Sequence, residues 1–541
     1  MKDLEAMLDM ARPSTVRQFW RAGAFHLRSA VGLVRSLPWL LGRGPSLGIV
    51  TRINAVAVGA KPAIHDRKGT VTWTDLERRT NQVANAMTGL GVRPGDRVAA
   101  LLRNGREMVE VLIAAQKLGV EASPLNTWAK PEELRTIMEQ TEPRLIVYDA
   151  RHGEQLEPAR PEDTPLLVVG ELRGLEGSEP YVTAIEDQPA SPPAPFTSQR
   201  GTPRILIHTS GTTGRPKGAS RSAGGSGVRE FAALLETVPL RHGDVILCPA
   251  PLFHSFGILA FTLGTLLGST LVLPDRFDPE ECLDLIDRHR VTACAMVPVM
   301  LRRIVTLPAR TLKAHDVREV RVLLASGSAL SQDLRDRIAE VFGEVLYDLY
   351  GSTEAGWVAV AGPQDVRERP GTVGRPVPGI EVAAFSERGE RLPAGQTGEL
   401  HARSGARFEG YIGGVEAEER DGFLALGDLG RMDQDGYLQV EGRQDEMVVV
   451  GGENVYPIEV EEALSKVEGV DDVAVLGIED QEYGQVLAAF YEGSAEPETV
   501  RKAAEDALAS YKVPRCIDRV DDLPRTATGK VLKRELLAEK E

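Results

Sequence analysis

Short apolar runs alternate with helical stretches through most of this chain, and that alternation restricts the fold more than any other feature. Asp96-Arg97-Val98-Ala99-Ala100-Leu101-Leu102 reads as a strand, followed by an amphipathic helix from Glu107 to Leu118. A helical run spans Pro131 to Glu139, and Arg144-Leu145-Ile146-Val147-Tyr148 is the next strand. Further strands are predicted at Val245–Leu247, Thr270–Leu273, Val291–Val297, Val320–Leu324 and Val345–Tyr350. Strand–helix–strand alternation predicts βαβ units and largely parallel sheets, an α/β fold. From about Arg443 the elements become shorter and more charged, with helices near Pro457–Leu464 and Val500–Tyr511. A small α+β domain of roughly a hundred residues is expected there. A chain of 541 residues is long enough for several domains.

The loop after one of these strands carries the chemistry. The apolar run Ile205-Leu206-Ile207 leads into Thr209-Ser210-Gly211-Thr212-Thr213-Gly214-Arg215-Pro216-Lys217-Gly218. Glycines let backbone N–H groups turn toward an anion, the hydroxyls add donors, and Lys217 adds a positive charge. Such a loop suits a polyphosphate. It is not the usual nucleotide P-loop, because Pro216 precedes the lysine and Gly218 follows it, so no helix starts on Lys217 in that manner. The plain alternative is a polar surface turn, which so many hydroxyls and glycines directly after an apolar strand make the poorer reading.

Composition narrows the partners. Hydrophobic residues make up 42% and charged residues 26%, as in an ordinary globular protein. The net charge of −16 argues against nucleic acid. Cys248, Cys282, Cys294 and Cys516 lack metal-ligand spacing, so a disulfide framework is not expected and a reducing cytoplasm fits. No N-terminal segment has the apolar core of a signal peptide or a spanning helix.

The N-terminal segment has its own character. No Asp or Glu occurs from Met10 to His65, while Arg17, Arg21, Arg28 and Arg35 fall on one helical stripe and Phe19, Trp20, Leu27, Val31, Val34 and Leu37 on another face. A basic amphipathic helix of this kind lies on an anionic membrane surface, here the inner face, or docks on the enzyme body or a second subunit. Both readings stay open, as does the oligomeric state. Pro38 is expected to end the helix.

The stretch Thr209–Gly218 resembles the phosphate-binding signature of the adenylate-forming enzymes, which include acyl-CoA synthetases, luciferases and the adenylation domains of peptide synthetases. Other segments resemble that family in the expected order, from about Asn54 onward. Tyr350-Gly351-Ser352-Thr353-Glu354 resembles its second signature, which implies Glu354 as a carboxylate for Mg²⁺ and Thr353 as a donor to the α-phosphate. Ser326-Gly327-Ser328-Ala329 is similar to the segment along the adenine, or is a plain strand-to-helix turn. Asp428, in Gly427-Asp428-Leu429-Gly430, matches the aspartate that accepts from the ribose hydroxyls, while Asp435-Gly436 reads as a hairpin turn. Arg443 matches the arginine beside ribose and phosphate, and Asp445 matches the hinge. Gly451-Gly452-Glu453-Asn454 resembles the loop lining entry for the CoA pantetheine. Lys530, in Pro524-Arg525-Thr526-Ala527-Thr528-Gly529-Lys530, resembles the catalytic lysine of adenylation.

Pro251-Leu252-Phe253-His254-Ser255-Phe256-Gly257 resembles the mouth of the acyl pocket. His254 is there a wall or gate, or a packed core histidine. The compact segment Phe408–Gly414 and the Arg-rich leader resemble actinobacterial fatty-acid-CoA ligases. The resemblance thus implies a basic leader at residues 1–50, a large AMP-binding domain at 51–443, a hinge at 444–446 and a small mobile domain at 447–541. It implies an ATP-, Mg²⁺- and CoA-dependent ligase that activates a carboxylic acid, expected to be a medium- or long-chain fatty acid, as its adenylate. Two rivals are an acyl-AMP ligase that feeds a carrier protein and a silent scaffold that binds nucleotide or lipid.

Overall fold

The computed structural model describes residues 17–18, 21–22, 46–170, 174–194, 204–210, 216–222, 228–352, 354–404, 419–443, 446–450, 453–480, 484–526 and 529–538. Two large sheets are parallel at their centres. In the nine-stranded sheet, Val245–Leu247, Ala293–Met296, Val322–Ala325 and Leu346–Ser352 lie side by side and parallel. In the seven-stranded sheet, Arg97–Leu101 lies between Glu121–Pro124 and Leu145–Asp149, and Arg204–Ser210 continues the parallel order next to Glu121–Pro124. Val245–Leu247, Ala293–Met296 and Val322–Ala325 read as unbroken apolar runs because both faces are covered, as parallel sheets require.

One continuous core joins the two sheets to the helices Trp73–Gly89 and Arg106–Leu118. The second of these departs from the amphipathic expectation. Its polar residues Glu110, Gln116 and Lys117 are buried as fully as its apolar ones. Each has a specific partner. Lys117 Nζ donates to Glu77, Thr80 and Asn81 at 2.7, 2.8 and 2.7 Å. Glu110 accepts from Arg79 Nη2 at 3.1 Å and from the Tyr181 hydroxyl at 2.8 Å. Gln116 Oε1 accepts from the Leu47 amide at 2.9 Å, while its Nε2 has no partner among the described residues. Burying a polar group costs stability unless its hydrogen bonds are met inside.

Prolines set several boundaries. The strand expected at Val291–Val297 is Ala293–Met296, because Pro298 takes the first position of the helix Pro298–Val305 and Val297 becomes its cap. The helix expected at Val500–Tyr511 is Pro497–Ala507, again starting on a proline, and a 3₁₀ turn at Ser510–Lys512 follows it.

A five-stranded antiparallel sheet, containing Gly398–Arg403, Phe423–Met432 and Leu438–Arg443, completes the large domain. The small domain is built on Val448–Val450, Glu453–Val455, Val470–Asp480, Gly484–Gly493 and Cys516–Arg519. Along Val470–Asp480, Val473 and Val475 share a core with the helices Pro457–Leu464 and Pro497–Ala507. Ala474 and Leu476 face the opposite side, with Leu523 and Leu536.

Most of the leader lies outside the described residues, including its Pro38 boundary. Of those described, Ala22 is buried, its carbonyl accepts from the His242 amide at 2.6 Å, and the Gln18 amide meets Glu236. The helix Leu47–Val58 crosses residue 50 with Leu47, Ile49 and Ala57 buried. No helix among the described residues is long and apolar enough to cross a membrane.

Burial pushes the Glu110 carboxyl up, opposed by its hydrogen bond and charge attraction to Arg79. Arg79→Met should therefore lower stability by about 3 kcal/mol, the usual effect of stripping one partner from a buried pair. A lowered urea midpoint checks this, and adding Glu110→Gln should recover part of it.

Candidate active site

The two domains enclose a cavity of about 390 Å³. Its large-domain wall stands at the carboxyl ends of parallel strands, where open α/β sheets offer a crevice. Val322–Ala325 and Leu346–Ser352 run in parallel register, so Gly327, Ser328 and Ala329 emerge beside Tyr350 and Gly351. The Ser326 hydroxyl donates to the Leu349 carbonyl at 2.8 Å and ties the two strand ends together. At Gly351 the chain turns back against Gly356–Ala361, and a Cβ there would stand 2.0 Å from the Gly356 carbonyl oxygen. Only glycine fits that approach.

Asp428 is held from both sides. It is the direct cross-strand neighbour of Arg443, whose Nη1 lies 3.4 Å from Oδ1. The Tyr350 hydroxyl donates to Oδ2 at 2.6 Å. Burial, then the neighbouring Asp428 charge, raises the Tyr350 hydroxyl well above its ordinary value, so the phenol stays a neutral donor. The buried pair Arg335–Asp348, at 2.7 Å, lies beneath. Burial pushes the Asp348 carboxyl up to about 6, although Arg335 opposes the shift.

The opposite wall belongs to the small domain. Lys530 closes a tight hairpin in which the Thr526 amide donates to the Lys530 carbonyl at 2.8 Å and the Gly529 amide to the Thr526 carbonyl at 2.8 Å. The Lys530 amide donates to the Thr526 hydroxyl at 3.1 Å. Gly529 has φ +79°, and a Cβ there would come 2.2 Å from Val299 Cγ1 on the large domain. The hairpin thus rests directly on the helix Pro298–Val305.

Lys530 Nζ lies 3.6 Å from Glu446 Oε1 and is 57% exposed, which leaves the ammonium loosely held. Glu446 Oε2 lies 3.0 Å from Lys533 Nζ, which also lies 3.0 Å from Glu461 Oε1. Burial works against the Lys533 cation, but Glu461 and Glu446 keep its pKa above the ordinary lysine value. The cavity therefore has a carboxylate flanked by a phenol and a guanidinium at one side, and an exposed ammonium at the other. The first suits a diol, the second an anion.

Of the residues singled out from the sequence, the cavity gathers Gly327, Ser328, Ala329, Tyr350, Gly351, Asp428, Arg443 and Lys530. Ser352 accepts from the Ala355 amide at 3.0 Å, and Glu354 lies in the same turn, before Gly356–Ala361. Thr209, Ser210 and Lys217 lie on a hairpin of Arg204–Ser210 with Pro216–Ser222, in which Thr209 and Lys217 are cross-strand partners. Gly211, Thr212, Thr213, Gly214, Thr353, Asp445, Gly451 and Gly452 lie outside the described residues. Glu453 and Asn454 pair with Val450 and Val449 in the small domain.

Phe253, His254, Phe256 and Gly257 are not among the described residues lining this cavity. Phe253 and Phe256 are core residues, and the His254 ring lies 4.6 Å from that of Phe253. His254 Nε2 is buried without a hydrogen-bond partner among the described residues, and burial pushes the ring down to about 4.

Sequence reasoning passed over His208, Glu446 and Glu461. His208 lies on the strand before the phosphate loop, its Nε2 2.7 Å from the Ser123 hydroxyl. Glu461 had a signal: it follows Pro457 by one helical turn, on the stripe of Pro457, Val460 and Leu464 that faces the core.

The sequence profile described as AMP-binding enzyme matches residues 52–412, and the profile of the AMP-binding enzyme C-terminal domain matches residues 459–530. The chain belongs to the adenylate-forming AMP-binding enzymes. A feruloyl-CoA synthase of Amycolatopsis sp. is 33% identical over 475 residues, 86% of this chain and 93% of that protein. The fatty acid–acyl-carrier-protein ligase ScoC of Streptomyces coeruleorubidus is 31% identical over 493 residues, 88% of this chain and 92% of its own. Among solved structures, the anthranilate CoA ligase AuaEII in complex with anthranoyl-AMP superposes with a TM-score of 0.82 at 28% identity, covering 92% of this chain and 97% of that one. This AMP-binding enzyme is an acid–thiol ligase.

Two histidines make its stability depend on pH. His208 and His254 are both pushed down from 6.5 to about 4 by burial. The unfolded chain then binds more protons between those values, so this contribution is complete above pH 6.5 and is lost as pH falls toward 4. Asp348 acts oppositely, because its raised pKa favours the folded state as pH falls below 6. The double variant His208→Gln/His254→Gln should lose less stability than the parent between pH 7 and pH 5, by on the order of 4 kcal/mol, about 2 for each histidine. Urea unfolding at the two pH values measures the difference.

Proposed function

We propose that this enzyme converts a carboxylic acid, ATP and CoA to acyl-CoA, AMP and pyrophosphate, and that its acid is a medium- or long-chain fatty acid. The observation that carries the adenylation step is the Lys530 hairpin seated on Val299, opposite Asp428 and Tyr350. A ribose fits the Asp428 side, where its hydroxyls donate to the carboxylate while Tyr350 and Arg443 hold that carboxylate in place. The phosphates then extend toward Lys530 and the Thr209–Lys217 hairpin.

In the first half-reaction an oxygen of the acid attacks the α-phosphorus and the bond to the pyrophosphate oxygen breaks. Lys530 stabilises the charge developing between carboxylate and phosphate as a mobile point charge. No group of three His, Cys, Asp or Glu residues that could hold a metal occurs among the described residues. A single carboxylate beside bound phosphates would suit Mg²⁺, which keeps several waters and takes only one or two carboxylates, and Glu354 would supply it. The ion supplies neutralisation of phosphate charge when bound. In the second half-reaction the small domain turns about Asp445, and the CoA thiolate attacks the acyl carbon, releasing AMP. The Gly451–Asn454 segment lines the thiol's approach. The cytoplasm, with its ATP and CoA, is the proposed location, with the leader either on the inner membrane face or docked on the enzyme body, where Ala22 is buried and accepts from the His242 amide.

The fatty acid rests on the apolar helix Ser255–Leu266, which follows Phe253 and carries Phe256, and on the similarity to ScoC. An aryl acid is the second reading. Trp357, just past the Glu354 turn, meets Phe231 in a tilted ring contact with centroids 4.7 Å apart, and its buried indole N–H has no hydrogen-bond partner among the described residues. A flat acid with an acceptor atom would satisfy that donor.

Lys530→Ala should reduce acid-dependent exchange of labelled pyrophosphate into ATP by about 10²–10³-fold, the scale of losing one transition-state charge contact. The same variant should still convert preformed acyl-adenylate to thioester; equal loss of both steps refutes the role. Asp428→Ala should raise the KM for ATP about tenfold or more, read in the same exchange assay. AMP release with octanoic, palmitic, ferulic and anthranilic acids decides between the two acid classes. Adenylate accumulating despite added CoA would instead favour a carrier-protein acceptor, and no turnover with any acid would favour a silent scaffold.

A further inference from the structure

We infer that Asp472 is a positioning residue that links Arg302 of the large domain to the hairpin bearing Lys530, so that domain docking and placement of the lysine are one event. The inference rests on the proposed two-step reaction. Arg302 lies on the helix Pro298–Val305, the same helix whose Val299 supports Gly529. Its Nη1 donates to the Asp471 carbonyl at 2.5 Å, and its Nη2 lies 3.5 Å from Asp472 Oδ1. The other carboxylate oxygen, Asp472 Oδ2, accepts from Arg525 Nη2. Arg525 Nη1 in turn donates to the Gly529 carbonyl at 2.9 Å, one residue before Lys530.

The three charged side chains in this chain are sheltered. The side chains of Arg302, Asp472 and Arg525 are only 17%, 13% and 12% exposed, so water and salt screen them weakly. Asp472 stands at a register shift in the pairing of Val470–Asp480 with Gly484–Gly493. A bulge of this kind re-aims a side chain next to an active site. The Asp472–Arg525 pair alone would anchor the hairpin to its own domain. Arg302 adds a contact that exists only while the domains are docked as seen here, and so it acts on the step that uses Lys530. The neighbouring Arg303–Asp522 pair, at 3.6 Å with side chains 50% and 81% exposed, crosses the same boundary but lies in solvent, where such pairs contribute little.

The test uses the full-length enzyme and the best acid of the panel above, with its synthetic adenylate for the second step. Arg302→Ala should slow acid-dependent pyrophosphate exchange about tenfold to a hundredfold, since misplacing a reacting group by 1 Å costs on the order of 10²-fold. The KM for ATP and the conversion of adenylate plus CoA to thioester should each stay within about twofold. Arg302→Lys should restore part of the exchange rate, and Arg303→Ala should leave both steps unchanged. Unchanged exchange in Arg302→Ala, or equal loss in both steps, overturns the inference. Lys530→Ala is run alongside. If it loses exchange while Arg302→Ala does not, only the Asp472 link falls. If Lys530→Ala itself retains exchange, the lysine's proposed role fails first.

Discussion

The cross-strand pairing of Asp428 with Arg443 is the contact on which both walls of the cavity depend. It sets Asp428 against Tyr350, and so forms the acceptor side of the site from strands of two different sheets. It also ends the five-stranded sheet at the place where the chain leaves for the small domain. The register shift between Leu429 and Gly430 belongs to the same device. At Gly430 a Cβ would stand 2.2 Å from the Gln439 carbonyl oxygen, so the partner strand can close up only on a glycine.

Charge inside this enzyme is arranged so that few groups are left without compensation. Lys117 and Glu110 are buried in the large domain but fully partnered. In the small domain Glu446 and Glu461 together hold Lys533. Lys530 differs from these. It meets one carboxylate at a longer distance and stays exposed, as a cation must if it is to exchange a protein partner for a phosphate. Rigid pairs surround it, and the hairpin that carries it is tied by three backbone amides. The result is an exposed ammonium on a firmly placed stem.

Where strand and helix assignments came straight from the sequence, local chemistry was decisive. Val245–Leu247, Thr270–Leu273 and Pro457–Leu464 have the expected bounds, because apolar runs and prolines act within a few residues. Arg106–Leu118 was legible as a helix but not in its surroundings. Its pattern of charged and apolar residues reads as one wet face, yet Arg79, Tyr181, Glu77 and Asn81 arrive from distant segments and make that face interior. The site divides in the same way. Tyr350, Asp428, Arg443 and Lys530 could be named because the short stretches around them resemble the family's motifs.

The sequence by itself determined the α/β class, the small terminal domain and the residue types around the cavity, since periodicity, glycine placement and proline are local properties. Tertiary structure alone decided which charges meet. Arg302 and Asp472 are far apart in the chain, as are Lys530 and Glu446, and nothing in either neighbourhood announces the partner. Packing brings them together, and Coulomb attraction in a sheltered interface matters only at the few ångströms that packing alone can set.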